Sequence, residues 1–258
     1  MNPHAKVIFY TSLLLGTTIT ISSNHWAMAW AGLEINTLAA IPLISKSHHP
    51  RAVEASIKYF LVQASASAIL LLSSTMNAWL TGQWDITQLT HPTSCLLLTT
   101  AIAMKLGLVP FHFWFPEVLQ GSSMTTALLL STMMKFPPIT ILFLTSNSLN
   151  PMLMATMAIA SAALGGWMGL NQTQLRKVLA FSSIAHLGWM ALIIMYNPKL
   201  TLMTFYLYTT MTTTIFLTLN TTKTTKLSTM MTSWTKTPTL NAALMLTLLS
   251  LAGLPPLT

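Results

Sequence analysis

Apolar stretches of about 20 residues follow one another along almost the whole chain, with short polar connections between them. At about 1.5 Å of rise per residue, a helix of that length crosses the ~30 Å hydrocarbon core of a bilayer. The pattern predicts nine spanning segments, at 5–22, 25–45, 57–80, 93–117, 123–145, 151–170, 177–196, 200–220 and 239–258. Runs rich in β-branched residues, such as Thr209–Thr214, also suit a strand. A membrane barrel needs segments of about ten residues with regular alternation, and the chain offers none. In a helix, threonine hydroxyls bond back to carbonyls one turn earlier. The expected fold is therefore all-α and polytopic, a single membrane domain with no room for a water-soluble one.

The charges in the connections set an orientation. Lys6, Lys46, Arg51, Lys58, Arg176, Lys177, Lys223, Lys226 and Lys236 fall near the N-terminus or the connections after segments 2, 6 and 8. Lys199 and Asp85 fall on the other side, and the connection after segment 4, around Gln120–Ser123, is uncharged. By the positive-inside rule, the N-terminus lies on the positive side.

Composition agrees: 53% of the 258 residues are hydrophobic and 6% charged, against about 25% charged in soluble domains. The net charge of +8 is spread over connections rather than gathered in a nucleic-acid-binding module. A single cysteine, Cys95, excludes an internal disulfide and an iron–sulfur cluster held by this chain alone. Neither a dinucleotide fingerprint nor a phosphate-binding loop is present. Gly165, Gly166 and Gly169 sit in an apolar helix, where close helix packing is expected of them. His25, His48, His49 and His91 lie in or near connections without metal-ligand spacing and are expected at the surface. No cleavable targeting sequence is read, because the first apolar stretch runs directly into further spans.

Against this background three charges stand out. Glu34, Lys105 and Lys135 each fall near the middle of a segment, the second, fourth and fifth. A charge at that depth costs about 2.5–3.5 kcal/mol, so such residues pair with one another or line hydrated routes. Two readings follow. In a proton relay, burial disfavours charge on a lysine and a neighbouring carboxylate restores it, so movement of the carboxylate releases or captures a proton. In the alternative, a fixed ion pair only holds helices together. Both lysines lie beside helix breakers, Gly107 and Pro110 for Lys105, Pro137 and Pro138 for Lys135. Proline frees a carbonyl that must find protein or water, so the prediction is an interrupted, hydrated helix or a plain kink.

Gly107-Leu108-Val109-Pro110 in segment 4 is echoed by Gly253-Leu254-Pro255-Pro256 in segment 9, five spans later. An odd separation reverses the direction of the helix, the mark of an inverted five-helix repeat, here 1–145 and an incomplete 151–258. Segment 7 then mates with segment 2 and carries His186 near its middle, a second proton-relay candidate or a hydrogen-bonded core histidine. His112 and Glu117 lie in an aromatic run, Phe111 to Glu117, that suits either an interfacial belt or a point where protons enter.

Several runs resemble the antiporter-like chain 2 family of NADH–ubiquinone oxidoreductase, respiratory complex I. They are Trp30-Ala31-Gly32-Leu33-Glu34-Ile35-Asn36, Met104-Lys105-Leu106-Gly107 leading to Pro110-Phe111-His112-Phe113-Trp114, and Gly169 through Lys177. Ser182-Ser183-Ile184-Ala185-His186-Leu187-Gly188-Trp189 and Leu251 through Thr258 complete the set, in family order over the whole chain. The resemblance implies two inverted five-helix repeats, each with a broken helix, in the mitochondrial inner membrane with the N-terminus in the matrix. It also implies the loss of three N-terminal helices found in longer bacterial forms. The family's central proton route falls on Glu34, Lys105 and Lys135. No cofactor is expected on this chain, since NADH, flavin, iron–sulfur clusters and ubiquinone belong to the rest of the complex. The implied partners are other membrane-arm subunits, accessory subunits and phospholipids such as cardiolipin. Family members continue past Pro255-Pro256-Leu257-Thr258 to a further lysine and two more helices, so the chain is expected to be truncated, with the exit half of any proton path outside it. Two other functions fit the residues: a free-standing cation/proton antiporter, and a structural subunit without a proton path.

Overall fold

The computed structural model describes residues 3–47 and 49–251. His48 and the Gly253-Leu254-Pro255-Pro256 motif lie outside the described residues. Twelve α-helices run in order: α1 Pro3–Ser22, α2 Trp26–Ile44, α3 Pro50–Thr81, α4 Pro92–Leu106, α5 Trp114–Gly121, α6 Met124–Ser131, α7 Phe136–Leu144, α8 Pro151–Leu170, α9 Leu175–Ile193, α10 Pro198–Thr222, α11 Leu227–Thr232 and α12 Pro238–Leu251. Among the described residues six units are long and apolar enough to cross a membrane: α1, α2, α3, α8, α10, and Met124–Leu144 taken as one through α6 and α7. With α4, α9 and α12, helix lies within each of the nine predicted segments among the described residues, so the count of nine holds approximately. The chain is a multi-pass membrane protein.

Helix starts follow from local chemistry. Pro50, Pro92, Pro151 and Pro198 open α3, α4, α8 and α10, where the missing N–H costs nothing. Asn150 and Asn197 cap α8 and α10 by accepting from the amides of Met152 and Leu200. Along α10 the threonines bond back as expected: the hydroxyls of Thr209, Thr213 and Thr214 donate to carbonyls three residues earlier. That chemistry lets a β-branched run stay helical in lipid. The short α11 and the 3-10 turn Ser233–Thr235 were not foreseen in the connection before α12.

Small residues set the closest helix pairs. A Cβ on Gly16 of α1 would overlap Asn36 and the Gly32 carbonyl of α2; a Cβ on Gly188 of α9 would overlap Ser161 and the Ala158 carbonyl of α8. Of the three glycines expected to serve packing, Gly165 does, pressed against the Ala185 amide of α9. Gly166 faces nothing within 4 Å, and a Cβ on Gly169 would make only an ordinary contact, so these two are corrected. Gly166 turns away from α9, and Gly169 faces Phe181 of α9 with room to spare at 3.6 Å.

Two backbone clamps tie the connections. His25 pairs with Asp85, the Trp26 amide donating to the Trp84 carbonyl at 3.1 Å and the Ile86 amide to Asn24 at 3.0 Å. Gln174 pairs with Lys226 in the same way, Leu175 to Thr225 at 3.1 Å and Leu227 to Thr173 at 3.2 Å. In the first clamp the His25 ring stacks on Trp84.

Candidate functional site

The segment around Lys105 is interrupted. α4 ends at Leu106, and Gly107 takes a left-handed turn at φ 76° that other residues resist. The amides of Gly107 and Leu108 both donate to Ala103. The carbonyls left over find side chains: Met104 accepts from the Trp114 indole at 3.1 Å, and Lys105 from the Gln63 amide at 3.5 Å. The break is therefore satisfied by α3 and α5, as a helix end in lipid must be. Lys105 occupies the last turn of α4, the negative end of its dipole. Its side chain is 5% exposed and its ammonium has no hydrogen-bond partner.

Lys135 ends a 3-10 turn, Met133–Lys135, between α6 and α7. Pro137 and Pro138 lack amides, so the helix restarts after the lysine with proline in its first turn. The Lys135 amide bonds Thr132 at 3.0 Å instead of Ser131 one residue further back. The freed Ser131 carbonyl accepts from the Tyr208 hydroxyl of α10 at 3.4 Å. Lys135 Nζ in turn donates to the Tyr208 hydroxyl at 3.2 Å and lies 4.4 Å above the Phe115 ring. The position is thus more than a kink: the helix is interrupted and the lysine sits in the interruption.

A narrow cavity of about 20 Å³ joins the two breaks, bordered by Leu33, Tyr59, Gln63, Lys105, Phe115 and Lys135 among others. That is room for about one water. Lys105 Nζ and the Tyr59 hydroxyl, both without a hydrogen-bond partner, belong to residues on its wall.

Glu34 is half-buried on α2, with Oε2 buried and unpartnered. Its neighbours Leu33, Asn36 and Thr37 line the cavity; Glu34 itself flanks it. Among the described residues the ion pairs within 4.0 Å are those of Lys58 with Glu54 and Glu117. Glu34 and Lys105 are not joined by one. His186 is half-buried on α9, its ring centroid 5.7 Å from that of Tyr208. Lys135, Tyr208 and His186 therefore form one cluster, continued through the cavity to Lys105.

His112 and Glu117 part company. His112 is 2% exposed in the connection between α4 and α5, with neither ring nitrogen partnered. Glu117 is exposed and lies on an open pocket of about 340 Å³ with Arg51, Glu54, Lys58, Gln120 and Lys177. The Arg176 guanidinium donates to the Ser122 carbonyl beside it. The connections after segments 2, 4 and 6 thus share one side. Of the loop histidines described, His25 and His49 are exposed and His91 is half-buried beside Thr93. Among the described residues no cluster of three or more His, Cys, Asp or Glu gathers. Sequence reasoning missed Tyr208, Gln63 and Trp114, none of which carries a charge to mark it.

Comparison with known proteins places this geometry in a family. Residues 23–258 match the family model described as NADH:quinone oxidoreductase/Mrp antiporter, TM. NADH-ubiquinone oxidoreductase chain 2 of Struthio camelus is 81% identical over the full chain, which covers 75% of that relative. The Gallus gallus protein of the same name is 74% identical with the same coverage. Among solved structures, a chain of respiratory complex I from Thermus thermophilus superposes with a TM-score of 0.91 at 27% identity. That match takes in 99% of this chain and 61% of the other. A chain of the Mrp complex from Dietzia sp. DQ12-45-1b shares the fold, with a TM-score of 0.83 at 19% identity over 95% of this chain and 51% of that one.

Proposed function

The chain belongs to the NADH:quinone oxidoreductase/Mrp antiporter transmembrane family, and on that premise we propose that it is a core membrane subunit of respiratory complex I. It moves protons across the mitochondrial inner membrane while NADH, flavin, iron–sulfur clusters and ubiquinone are handled by other subunits. The observation that carries this reading is the cavity between Lys105 and Lys135, each lysine set in an interrupted helix. A purely structural ion pair would be closed, and Glu34 forms none within 4.0 Å.

The route runs from Glu34 to Lys105, across the cavity to Lys135, and on to His186. A carboxylate near a buried lysine favours its ammonium form, so displacement of Glu34 from Lys105 favours release. The cavity between them has room for about one water, the carrier assigned to the step from Lys105 to Lys135. His112, buried in the α4–α5 break without a partner, is assigned to the entry end of the route. The gathering of Arg51, Lys58 and Lys177 on one side supports a matrix-facing N-terminus. Exposed side chains such as Trp79, Trp167 and Leu170 meet neighbouring membrane subunits and phospholipids, cardiolipin among them.

Two inverted repeats, 1–145 and 151–258, are part of the proposal. The two clamps share one hydrogen-bond pattern, and Gly16 precedes His25 by as many residues as Gly165 precedes Gln174. Equal numbers of residues likewise separate Pro92 from Gly107 and Pro238 from Gly253.

Lys105→Met tests the function, in a full-length chain within the assembled complex. Proton pumping and NADH–ubiquinone turnover are followed together, with complex abundance as control. Lost pumping or turnover at normal abundance is expected. Normal pumping would remove Lys105 from the route, and loss of the complex itself would favour a structural role.

A further inference from the structure

We propose that Tyr208 is a positioning residue that follows the protonation of Lys135, through a hydroxyl that exchanges its partner between Lys135 and the Ser131 carbonyl. The inference rests on the relay reading above and deepens it. Tyr208 stands on α10, outside the helices that hold Glu34, Lys105 and Lys135, and is 4% exposed. Its hydroxyl accepts from Lys135 Nζ at 3.2 Å and donates to Ser131 at 3.4 Å. A phenol has one proton to donate, and in this arrangement it is spent on the carbonyl that the 3-10 turn set free.

That arrangement suits the ammonium, which has only protons to offer. When Lys135 passes one proton to a water in the adjoining cavity, the water becomes hydronium and the amine gains a lone pair. The hydroxyl then turns and donates to Nζ, and the Ser131 carbonyl is left to accept elsewhere. One rotation of one bond thus couples the charge of Lys135 to the backbone of the broken helix. The groups that face this hydroxyl are Lys135 between α6 and α7, the Ser183 hydroxyl and His186 from α9, and, more remotely, Lys105 across the cavity with Glu34 on α2.

Tyr208→Phe removes the hydroxyl and keeps the ring that packs against Phe205 and His186. It is measured in the full chain within the assembled complex, beside Lys135→Met, with turnover and pumping recorded from acid to alkaline pH. Normal abundance is expected for Tyr208→Phe. Without an acceptor the ammonium is held less well, so the alkaline limb of the profile moves to lower pH by about one unit, with turnover there about tenfold lower, the equivalent of one hydrogen bond to a charged group. An unchanged profile, a fall of equal size at every pH, or a complex that does not assemble would each overturn the inference. If Lys135→Met impairs pumping while Tyr208→Phe leaves the profile in place, only the role of Tyr208 falls. If Lys135→Met is silent, the relay reading falls and takes this one with it.

Discussion

The two buried lysines are held by different means, and this separates their roles. Lys135 has a hydroxyl acceptor and an aromatic face at 4.4 Å. A desolvated cation–π contact contributes about 2 kcal/mol, close to the cost of placing a lysine at membrane depth. Lys105 has no such partners and is left with the C-terminal end of α4 and the adjoining cavity. Gln63 matters here because it alone supplies a side-chain donor to the Lys105 carbonyl. Gln63→Leu should therefore cost about 1 kcal/mol, lower the thermal inactivation midpoint of the complex and slow turnover. An unchanged midpoint and rate would mean that Gln63 does not hold the break. The charged residues were legible in the sequence because charge at depth is costly and so conspicuous. Tyr208 was not. It differs from its neighbour Tyr206 only in facing inward, 4% against 59% exposed, and hydropathy assigns the two tyrosines the same value.

At the level of elements, both helix interruptions were readable from Gly107, Pro110, Pro137 and Pro138, since these residues forbid or disfavour continuous helix. How the interruptions are sealed was not readable. Trp114, ten residues from Met104, carries no mark that its indole turns back to the break. Gln63 of α3 and Tyr208 of α10 lie 42 and 77 residues from the carbonyls they meet. The clamps escaped for the same reason. They are backbone pairs between distant connections, and His25, Asp85, Gln174 and Lys226 have no residue type in common. Inverted repeats require the two clamps to lie on opposite sides of the membrane. Cysteines introduced at the exposed positions Thr87 and Lys226 should react with an impermeant maleimide from opposite sides, with buried Cys95 giving little background. Labelling of both from the same side would remove the repeat.

The molecule as a whole is a bundle in which the buried lysines Lys105 and Lys135 lie along one internal line, while much of its outer surface is apolar. The connections gather positive charge on one side, where Arg51, Lys58 and Lys177 share a pocket. The family and the membrane class could be read from the chain because long apolar runs and ordered motifs are properties of sequence. The continuity of Lys105, cavity, Lys135, Tyr208 and His186 is a property of packing between segments, visible only once α4, the α6–α7 break, α9 and α10 meet. The central claim is that Lys105 and Lys135 act in series on one proton route. Groups that act as a unit lose their effect together rather than multiplicatively. The direct measurement is proton pumping per NADH oxidised by assembled complexes carrying Lys105→Met, Lys135→Met and both. A series route predicts that the double variant pumps no worse than the more impaired single one. A double variant whose loss is the product of the two single losses would show two independent routes and contradict the account.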